Sequence, residues 1–151
     1  MVDRTRAAGA GLANTAATGF GAILLLVGIL GFIPGITQMN SNGVNYLLGL
    51  FAVNGIHNLV HILTGIVALA AGLSGRTDYA RAFFLAFGIV YGLVTIIGFV
   101  QGTTFLGIFP VNGWDNALHL VITVFSFLVY FASAASTGER FRAGAQSSMG
   151  R

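Results

Sequence analysis

Cysteine and lysine are absent from this chain of 151 residues, and charged residues of any kind are scarce. The absence of cysteine excludes disulfides, zinc–thiolate sites and cysteine-ligated iron–sulfur clusters. Only 7% of the residues are charged and 56% are hydrophobic, whereas a water-soluble domain carries about 25% charged residues. With a mean hydropathy of +0.86, this composition indicates an integral membrane protein, whose first partner is the lipid bilayer.

The seven positive charges are all arginines, and they fall in three clusters separated by long apolar stretches. They are Arg4, Arg6, Arg76, Arg81, Arg140, Arg142 and Arg151. A net charge of +3 could favour nucleic acid, but this spacing is typical of a topology signal, so no nucleic-acid partner is expected. The positive-inside rule places both termini and the middle connection in the cytoplasm, and predicts a multi-pass protein of the bacterial inner membrane.

Four apolar segments are long enough to cross a bilayer, which takes about 20 residues. They run from Gly19 to Thr37, Gly55 to Leu73, Ala80 to Val100 and Gly113 to Ala135. The sequence therefore predicts an all-α, polytopic membrane four-helix bundle over residues 19–135. Residues 1–18 are predicted to be a cytoplasmic tail, and the small, polar residues 136–151 a disordered cytoplasmic tail.

An internal repeat is visible when residues 48–61, LGLFAVNGIHNLVH, are aligned with residues 106–119, LGIFPVNGWDNALH. The offset is a constant 58 residues (Leu48 to Leu106), and GFIPG at 31–35 resembles GFVQG at 98–102. Residues 19–73 and 80–135 are therefore predicted to be two parallel two-helix repeats. A pseudo-two-fold axis along the membrane normal should relate them.

The segments YLLGLFAV and TFLGIFPV precede the second and fourth spans and are too short to cross the bilayer. Pro110 interrupts any helix that would continue into the fourth span. We expect re-entrant or interfacial turns on the outer side, with Asn54 and Asn112 as helix N-caps. The alternative is one long, tilted helix from Tyr46 to Leu73.

Each repeat carries four polar residues at the spacing i, i+3, i+4, i+7, which places them on one helix face. The first stripe is Asn54, His57, Asn58 and His61, and the second is Asn112, Asp115, Asn116 and His119. Polar groups inside a membrane normally face the bundle interior. The two stripes should therefore meet near the two-fold axis.

The stripes allow several chemical interpretations. The four side chains of His57, His61, Asp115 and His119 could bind a divalent transition metal such as zinc, iron, copper or nickel. Haem b could instead be held by His61 and His119, with Gly65 leaving room for the ring; the counterpart of Gly65 is Thr123.

A structural interpretation stands beside these. Asn54 and Asn112 cap helices, Asp115 sits at the third helical position as a capping-box acid does, and the other amides and imidazoles hold the bundle together. In that case Asn54, Asn58, Asn112 and Asn116 form a polar network, and no residue is catalytic. Solute or proton passage along the axis is a third interpretation.

The stretches VNGIHNLVHILTG and FPVNGWDNALHL, together with the arginine-containing middle turn, resemble the bacterial four-span proteins grouped as domain of unknown function 4383. The resemblance covers about Gly19 to Ala135 and implies an integral membrane protein without assigning an activity. The sequence shows no nucleophile–base pair and no phosphate-binding loop. We therefore predict a non-enzymatic membrane protein. It is expected to be an accessory subunit of a larger complex with partner subunits, or to form a homo-oligomer. The alternative functions are the binding of a metal or haem, and transport.

Overall fold

The computed structural model describes the backbone of residues 5–149 and the side chains of residues 11–133. Within them lie four helices and two small antiparallel sheets. In chain order the elements are α1 (Thr5–Leu30), β1 (Thr37–Met39), β2 (Asn45–Leu47), β3 (Phe51–Val53), α2 (Gly55–Leu73), α3 (Thr77–Gln101), β4 (Thr104–Phe105), β5 (Phe109–Pro110) and α4 (Gly113–Met149). The predicted four-helix bundle is confirmed.

Each helix contains a segment that is long and apolar enough to cross a membrane. These segments are Gly11–Leu30, Gly55–Leu73, Thr77–Gln101 and Gly113–Ser133. Most of their large aliphatic side chains are exposed on the outer surface of the bundle. An apolar outer surface of this kind is what a bilayer solvates, so the chain is a four-span membrane protein.

The first span lies earlier in the chain than the sequence predicted. The prediction placed it at residues 19–37, with a tail before it, but α1 begins at Thr5 and ends at Leu30. Small residues caused the error at the start, because Ala13 and Ala17 raise hydropathy little yet are fully buried in the core. At the other end, a turn follows Leu30 and Thr37 already belongs to strand β1.

The last helix is longer than predicted. The fourth span was placed at residues 113–135 with a disordered tail after it, but the helical backbone of α4 continues to Met149. Ser133 is the last residue of the apolar segment, close to the predicted boundary at Ala135. Composition located the end of the span, but it did not indicate that the polar residues beyond it continue the helix.

The two short apolar segments form β-hairpins at one end of the bundle, which we call the hairpin end. Strand β2 pairs with β3, and β4 pairs with β5. The turns have positive φ at Leu48 and Gly49, and again at Leu106 and Gly107, as a tight hairpin turn of the I′ type requires. The expected turns are thus confirmed as hairpins, and the alternative of one helix from Tyr46 to Leu73 is wrong.

The predicted repeats are also units of packing. Helix α1 packs mainly against α2, and α3 mainly against α4. The offset between the repeats is 67 residues before the hairpins (Gly31 to Gly98) and 58 after them, so repeat one contains nine more residues at this point (67 − 58). The additional residues allow β1 to join β2 and β3 in a three-stranded sheet, whereas repeat two has two strands.

Aromatic side chains fill the part of the bundle farther from the hairpins. Phe20 of α1 contacts the rings of Phe84 and Phe87 on α3 and Phe125 on α4. Beyond them, the short α2–α3 connection carries an exposed ion pair, with 2.8 Å between Arg76 Nη2 and Asp78 Oδ2. This hydrogen-bonded carboxylate raises the pKa of Arg76 above its ordinary value.

Candidate functional site at the hairpin end

The two polar stripes face the interior of the bundle, as predicted. Their buried members are His57, Asn58, His61, Asp115, Asn116 and His119. Asn54 and Asn112 lie at the boundary of the site and are partly exposed. The site therefore occupies the space enclosed by α2, α4 and the two hairpins.

Both outer asparagines cap their helices. Asn54 Oδ1 accepts a hydrogen bond from the N–H of His57 at 2.8 Å. Asn112 Oδ1 accepts from the N–H groups of Trp114 and Asp115 at 2.8 and 3.0 Å. These bonds satisfy N–H groups that have no acceptor within the helix, so the predicted N-caps are confirmed.

The same asparagines join the two repeats. Asn54 Nδ2 donates to the carbonyl of Ile108 at 2.9 Å, and Asn112 Nδ2 donates to the carbonyl of Leu50 at 2.7 Å. Donors and acceptors are each 58 residues apart, so each cap holds the hairpin turn of the other repeat. Reciprocal contacts of this kind are produced by two-fold symmetry. The sequence analysis missed them, although the constant offset already pairs these four residues.

Asp115 is the most buried polar member of the site, with 2% of its surface exposed. Its Oδ2 accepts from the N–H of Asn112 at 2.9 Å, which is the capping-box bond expected of an acid at this position. The same oxygen accepts from the N–H of Ala52 in β3 at 3.0 Å. Asp115 therefore joins α4 to the hairpin of repeat one.

Ala52 also explains why His57 replaces an acid in repeat one. The Nδ1–H of His57 donates to the carbonyl of Ala52 at 3.1 Å, so the N–H of Ala52 is bonded to Asp115 and the C=O of Ala52 to His57. The counterpart of Ala52 in repeat two is Pro110, which has no N–H. An acid at position 57 would therefore have no equivalent donor to accept from.

These contacts define the interrepeat network. Asn54, Asn112 and Asp115 bond to the backbone of Ile108, Leu50 and Ala52 in the other repeat, and His57 adds a bond to Ala52 within repeat one. All four side chains hydrogen-bond to backbone groups of the hairpins. The structural interpretation thus explains the positions of four of the eight stripe residues.

The three histidines lie side by side. The rings of His57 and His61 stack with centroids 4.8 Å apart, and the rings of His57 and His119 are 6.3 Å apart. Tyr91 contacts His119 edge-on at 5.2 Å. The Nδ1 atoms of His61 and His119 are buried and have no hydrogen-bond partner among the described residues. The network therefore does not explain these two imidazoles.

Two cavities flank the histidines, and both are lined by His57 and His119. One of about 100 Å³ is also lined by His61, Asp115 and Val27. The other, of about 170 Å³, is lined by Val94 and Tyr91 instead. Val27 and Val94 are 67 residues apart, the offset of the helices before the hairpins, so the cavities are related by the repeat. Each is large enough for a few water molecules.

Convergence of the four candidate metal ligands is incomplete. The structure brings His57, His61, Asp115 and His119 to one cavity, but among the described residues no three His, Asp or Glu side chains are arranged to hold a metal ion. Asp115 already accepts two hydrogen bonds on one oxygen, and two of the imidazoles are stacked. A metal would need side-chain rearrangement.

The space predicted for haem beside Gly65 does not exist. A Cβ on Gly65 would lie 2.7 Å from the backbone nitrogen of Leu25, because α1 packs directly on this face of α2. The glycine serves a close helix crossing, and the expectation that it leaves room for a ring is wrong.

A family model described as domain of unknown function (DUF4383) matches residues 14–133. The match includes the first span from residue 14 onward, the other three spans, both hairpins and every residue of the two polar stripes. No curated protein and no solved structure matches the chain.

Proposed function

Since this chain belongs to the DUF4383 family, whose description assigns no activity, we propose from the site itself that it is a non-enzymatic membrane protein and an accessory subunit of a larger complex. The observation that carries the proposal is that Asp115 hydrogen-bonds the backbone of both repeats. A carboxylate that acts as a general acid or base must lie within hydrogen-bond reach of the proton that it transfers. Here its bonds fix the relative position of two hairpins.

Exposed apolar side chains at the hairpin end favour a protein neighbour. Met39 is 67% exposed and lies in strand β1, beyond the end of α1. Trp114 is 62% exposed and lies in the first turn of α4. The network below them holds both hairpins in a fixed arrangement, and a pre-ordered surface binds at a lower entropic cost. An accessory subunit would present this surface to its complex.

Native mass spectrometry of nanodiscs cut directly from the membrane tests the subunit proposal. We expect this chain to be found with a different polypeptide at fixed stoichiometry, and Trp114→Ala to reduce that association. Val121→Ala is the matched control, because Val121 is 63% exposed on the same helix but within the span. Recovery of this chain alone, as a monomer or homo-oligomer, would overturn the proposal.

The non-enzymatic part needs a separate test. Purified chain is incubated with an extract of small molecules, and consumption is compared with that of His119→Gln. We expect no compound to be consumed by either protein. A compound consumed by the unmodified chain and spared by a folded His119→Gln variant would show that the chain is an enzyme.

Transition-metal binding is the second candidate, and the unpartnered Nδ1 atoms of His61 and His119 favour it. His57 donates its other nitrogen to a backbone carbonyl, as histidines that bind metals usually do. Elemental analysis and a visible absorption spectrum of the purified protein are compared with those of a His61→Ala/His119→Ala variant. One metal per chain that disappears in the variant supports the site; equal metal content in both proteins contradicts it.

Transport along the axis gains no support from the described residues. The buried hydroxyls of Thr95 and Ser126 donate to carbonyls of their own helices, and Phe20 packs against the ring of Phe84 in the bundle interior. A solute or proton path would need polar groups that face one another across the bundle.

Orientation is proposed from the arginines: the hairpin end lies outside the cytoplasm and the α2–α3 connection inside it, in a bacterial inner membrane. Because the chain has no cysteine, single cysteines introduced by mutation report its orientation in the membrane directly. Met39→Cys should react with a membrane-impermeant maleimide on intact spheroplasts, and Ser74→Cys only after permeabilisation. The reverse pattern would invert the proposed topology.

A further inference from the structure

Repeat one contains a pocket with a wall that has no counterpart among the described residues of repeat two. It has a volume of about 350 Å³ and lies at the hairpin end between the end of α1, strands β1 and β2, and the first turn of α2. Thr37 and Met39 of β1 form one wall, and β1 has no counterpart in the two-stranded sheet of repeat two. The volume falls within the range of small-molecule sites.

The wall of this pocket includes an asparagine whose amide has no hydrogen-bond partner among the described residues. Asn58 is 3% exposed and lines the pocket, yet its side chain makes no hydrogen bond to the described part of the chain. It lies against Gly31, where any side chain would collide with it. Because Asn58 lines the pocket, a ligand there can supply the hydrogen-bond partner that the described part of the chain does not.

Further polar groups surround Asn58. Gly55, the first residue of α2, lines the pocket, and an N–H in the first turn of a helix has no intrahelical acceptor. Asn45 of β2 contributes a second amide. The donors of Asn58, Asn45 and Gly55 suit an acceptor oxygen, and the positive end of the helix dipole favours it further.

The rest of the lining selects against charge. No charged side chain is among the described residues that line the pocket, and Phe32, Ile33 and Met39 supply an apolar wall. An anion would be buried without a counter-charge, which is costly. The lining therefore fits a molecule with a neutral carbonyl group on an apolar body.

We propose that this pocket binds an uncharged carbonyl compound, whose oxygen accepts hydrogen bonds from Asn58 and Gly55 and whose apolar part lies against Phe32 and Met39. Because the pocket lies at the ends of the spans, the compound comes either from solution or from the bilayer, where ester carbonyls of lipids lie at this depth. Binding here is independent of the accessory role and of a metal at the histidines.

Fluorine NMR on the full chain in lipid nanodiscs tests the site with two probes of equal shape. 4-Fluorobenzamide has a neutral carbonyl, and 4-fluorobenzoate carries a negative charge. We expect the amide to bind with a dissociation constant on the order of 1 mM, as a small fragment does, and the carboxylate at least about tenfold more weakly. Equal binding of both probes, or no binding of the amide, overturns the proposal without depending on any variant.

Asn58→Leu then locates the probe. The substitution preserves approximate shape and removes the hydrogen bonds, so we expect the amide to bind about tenfold more weakly. Asn116→Leu is the matched control: Asn116 is equally buried and also lies against a glycine, Gly98, but it does not line this pocket. If both substitutions weaken the amide equally, or neither does, the pocket is not the site.

The lipid of the nanodisc distinguishes the two sources. Ester-linked phosphatidylcholine carries carbonyls, and its ether-linked analogue does not. If a lipid carbonyl normally fills the pocket, the amide binds more tightly in ether-linked nanodiscs. If the natural ligand comes from solution, binding is equal in both lipids. Either result supports the proposal and names the source.

Discussion

In repeat one the two helices meet backbone to backbone, whereas in repeat two side chains separate them. A Cβ on Gly21 or Gly65 would lie 2.7 Å from a backbone nitrogen of the facing helix. The residue opposite Gly88 in repeat two is Phe127, whose ring would be 3.2 Å from a Cβ there. Phe127 is the counterpart of Leu69, which faces Gly21.

The network that joins the repeats shows the opposite behaviour. Asn54 and Asn112 make the same bond in both directions, and only the Ala52–Asp115 and Pro110–His57 pairs differ. The comparison shows that the interrepeat contact constrains both copies at once, because each copy supplies both donor and acceptor. Packing within a repeat has no such constraint, so the two repeats form their internal helix–helix contacts with different residues.

Gly65→Ala should have the largest effect. The new methyl group would meet the backbone of Leu25, which cannot move without shifting α1. We therefore expect a loss above about 4 kcal/mol, which exceeds the range of about 1–3 kcal/mol that is usual for overpacking. Gly92→Ala is the matched change in repeat two, since a Cβ there lies 3.5 Å from Thr123 and should alter stability by less than about 0.5 kcal/mol. The free energy of unfolding in detergent, followed by circular dichroism, measures both. Equal losses would show that the two crossings are equally tight.

Asp115→Ala should come next, with a loss of about 2–4 kcal/mol, because two N–H groups lose their acceptor. The loss on Asp115→Ala should be smaller in an Ala52→Pro background, because proline removes the N–H that Ala52 donates to Asp115. Pro110 lacks this N–H at the equivalent position of repeat two. A double-mutant cycle on unfolding free energy should give a coupling of about 1 kcal/mol. Additive effects would mean that Pro110 does not explain the absence of an acid at position 57.

Asn54→Ala and Asn112→Ala should each cost about 1 kcal/mol, the usual value for loss of an N-cap, plus about as much again for the bond to the other repeat. Their two losses should agree within about 0.5 kcal/mol, because the contacts are reciprocal. Thermal unfolding of the two variants side by side measures this. A clear difference between them would break the two-fold description of the network.

The regular features of the fold could be predicted from sequence. Four spans follow from hydropathy, the repeat from the 58-residue offset, and the inward stripes from helical spacing with the cost of polar groups in lipid. The capping role of Asp115 follows from its position after Asn112. Each of these depends on residues close in sequence or on composition over a whole segment.

The remaining features depend on contacts that composition does not encode. The chain has 22 glycines, and nothing local distinguishes Gly65, which touches α1, from Gly92, which does not. Two-residue strands are too short to give an alternating pattern. The bond of Asp115 to Ala52 crosses 63 residues, so only the folded hairpin reveals it.

The smallest effect should come from the hairpin turns, where both repeats place a leucine at positive φ. Leu48 and Leu106 have φ of 54° and 52°, a conformation that costs a leucine about 1 kcal/mol and a glycine almost nothing. Their side chains are 65% and 55% exposed, so little burial within the chain offsets that cost. In detergent, Leu48→Gly and Leu106→Gly should each raise the free energy of unfolding by up to about 1 kcal/mol.

The same two variants give a different answer in the native membrane if the leucines bind something there. A variant that is stabilised in detergent but associates less with its neighbours in nanodiscs would show that the strained leucines are retained for an external contact. Stabilisation without any loss of association would instead limit the docking surface to Met39 and Trp114. Because the turns are equivalent, a loss at one leucine alone would also show which repeat faces the partner.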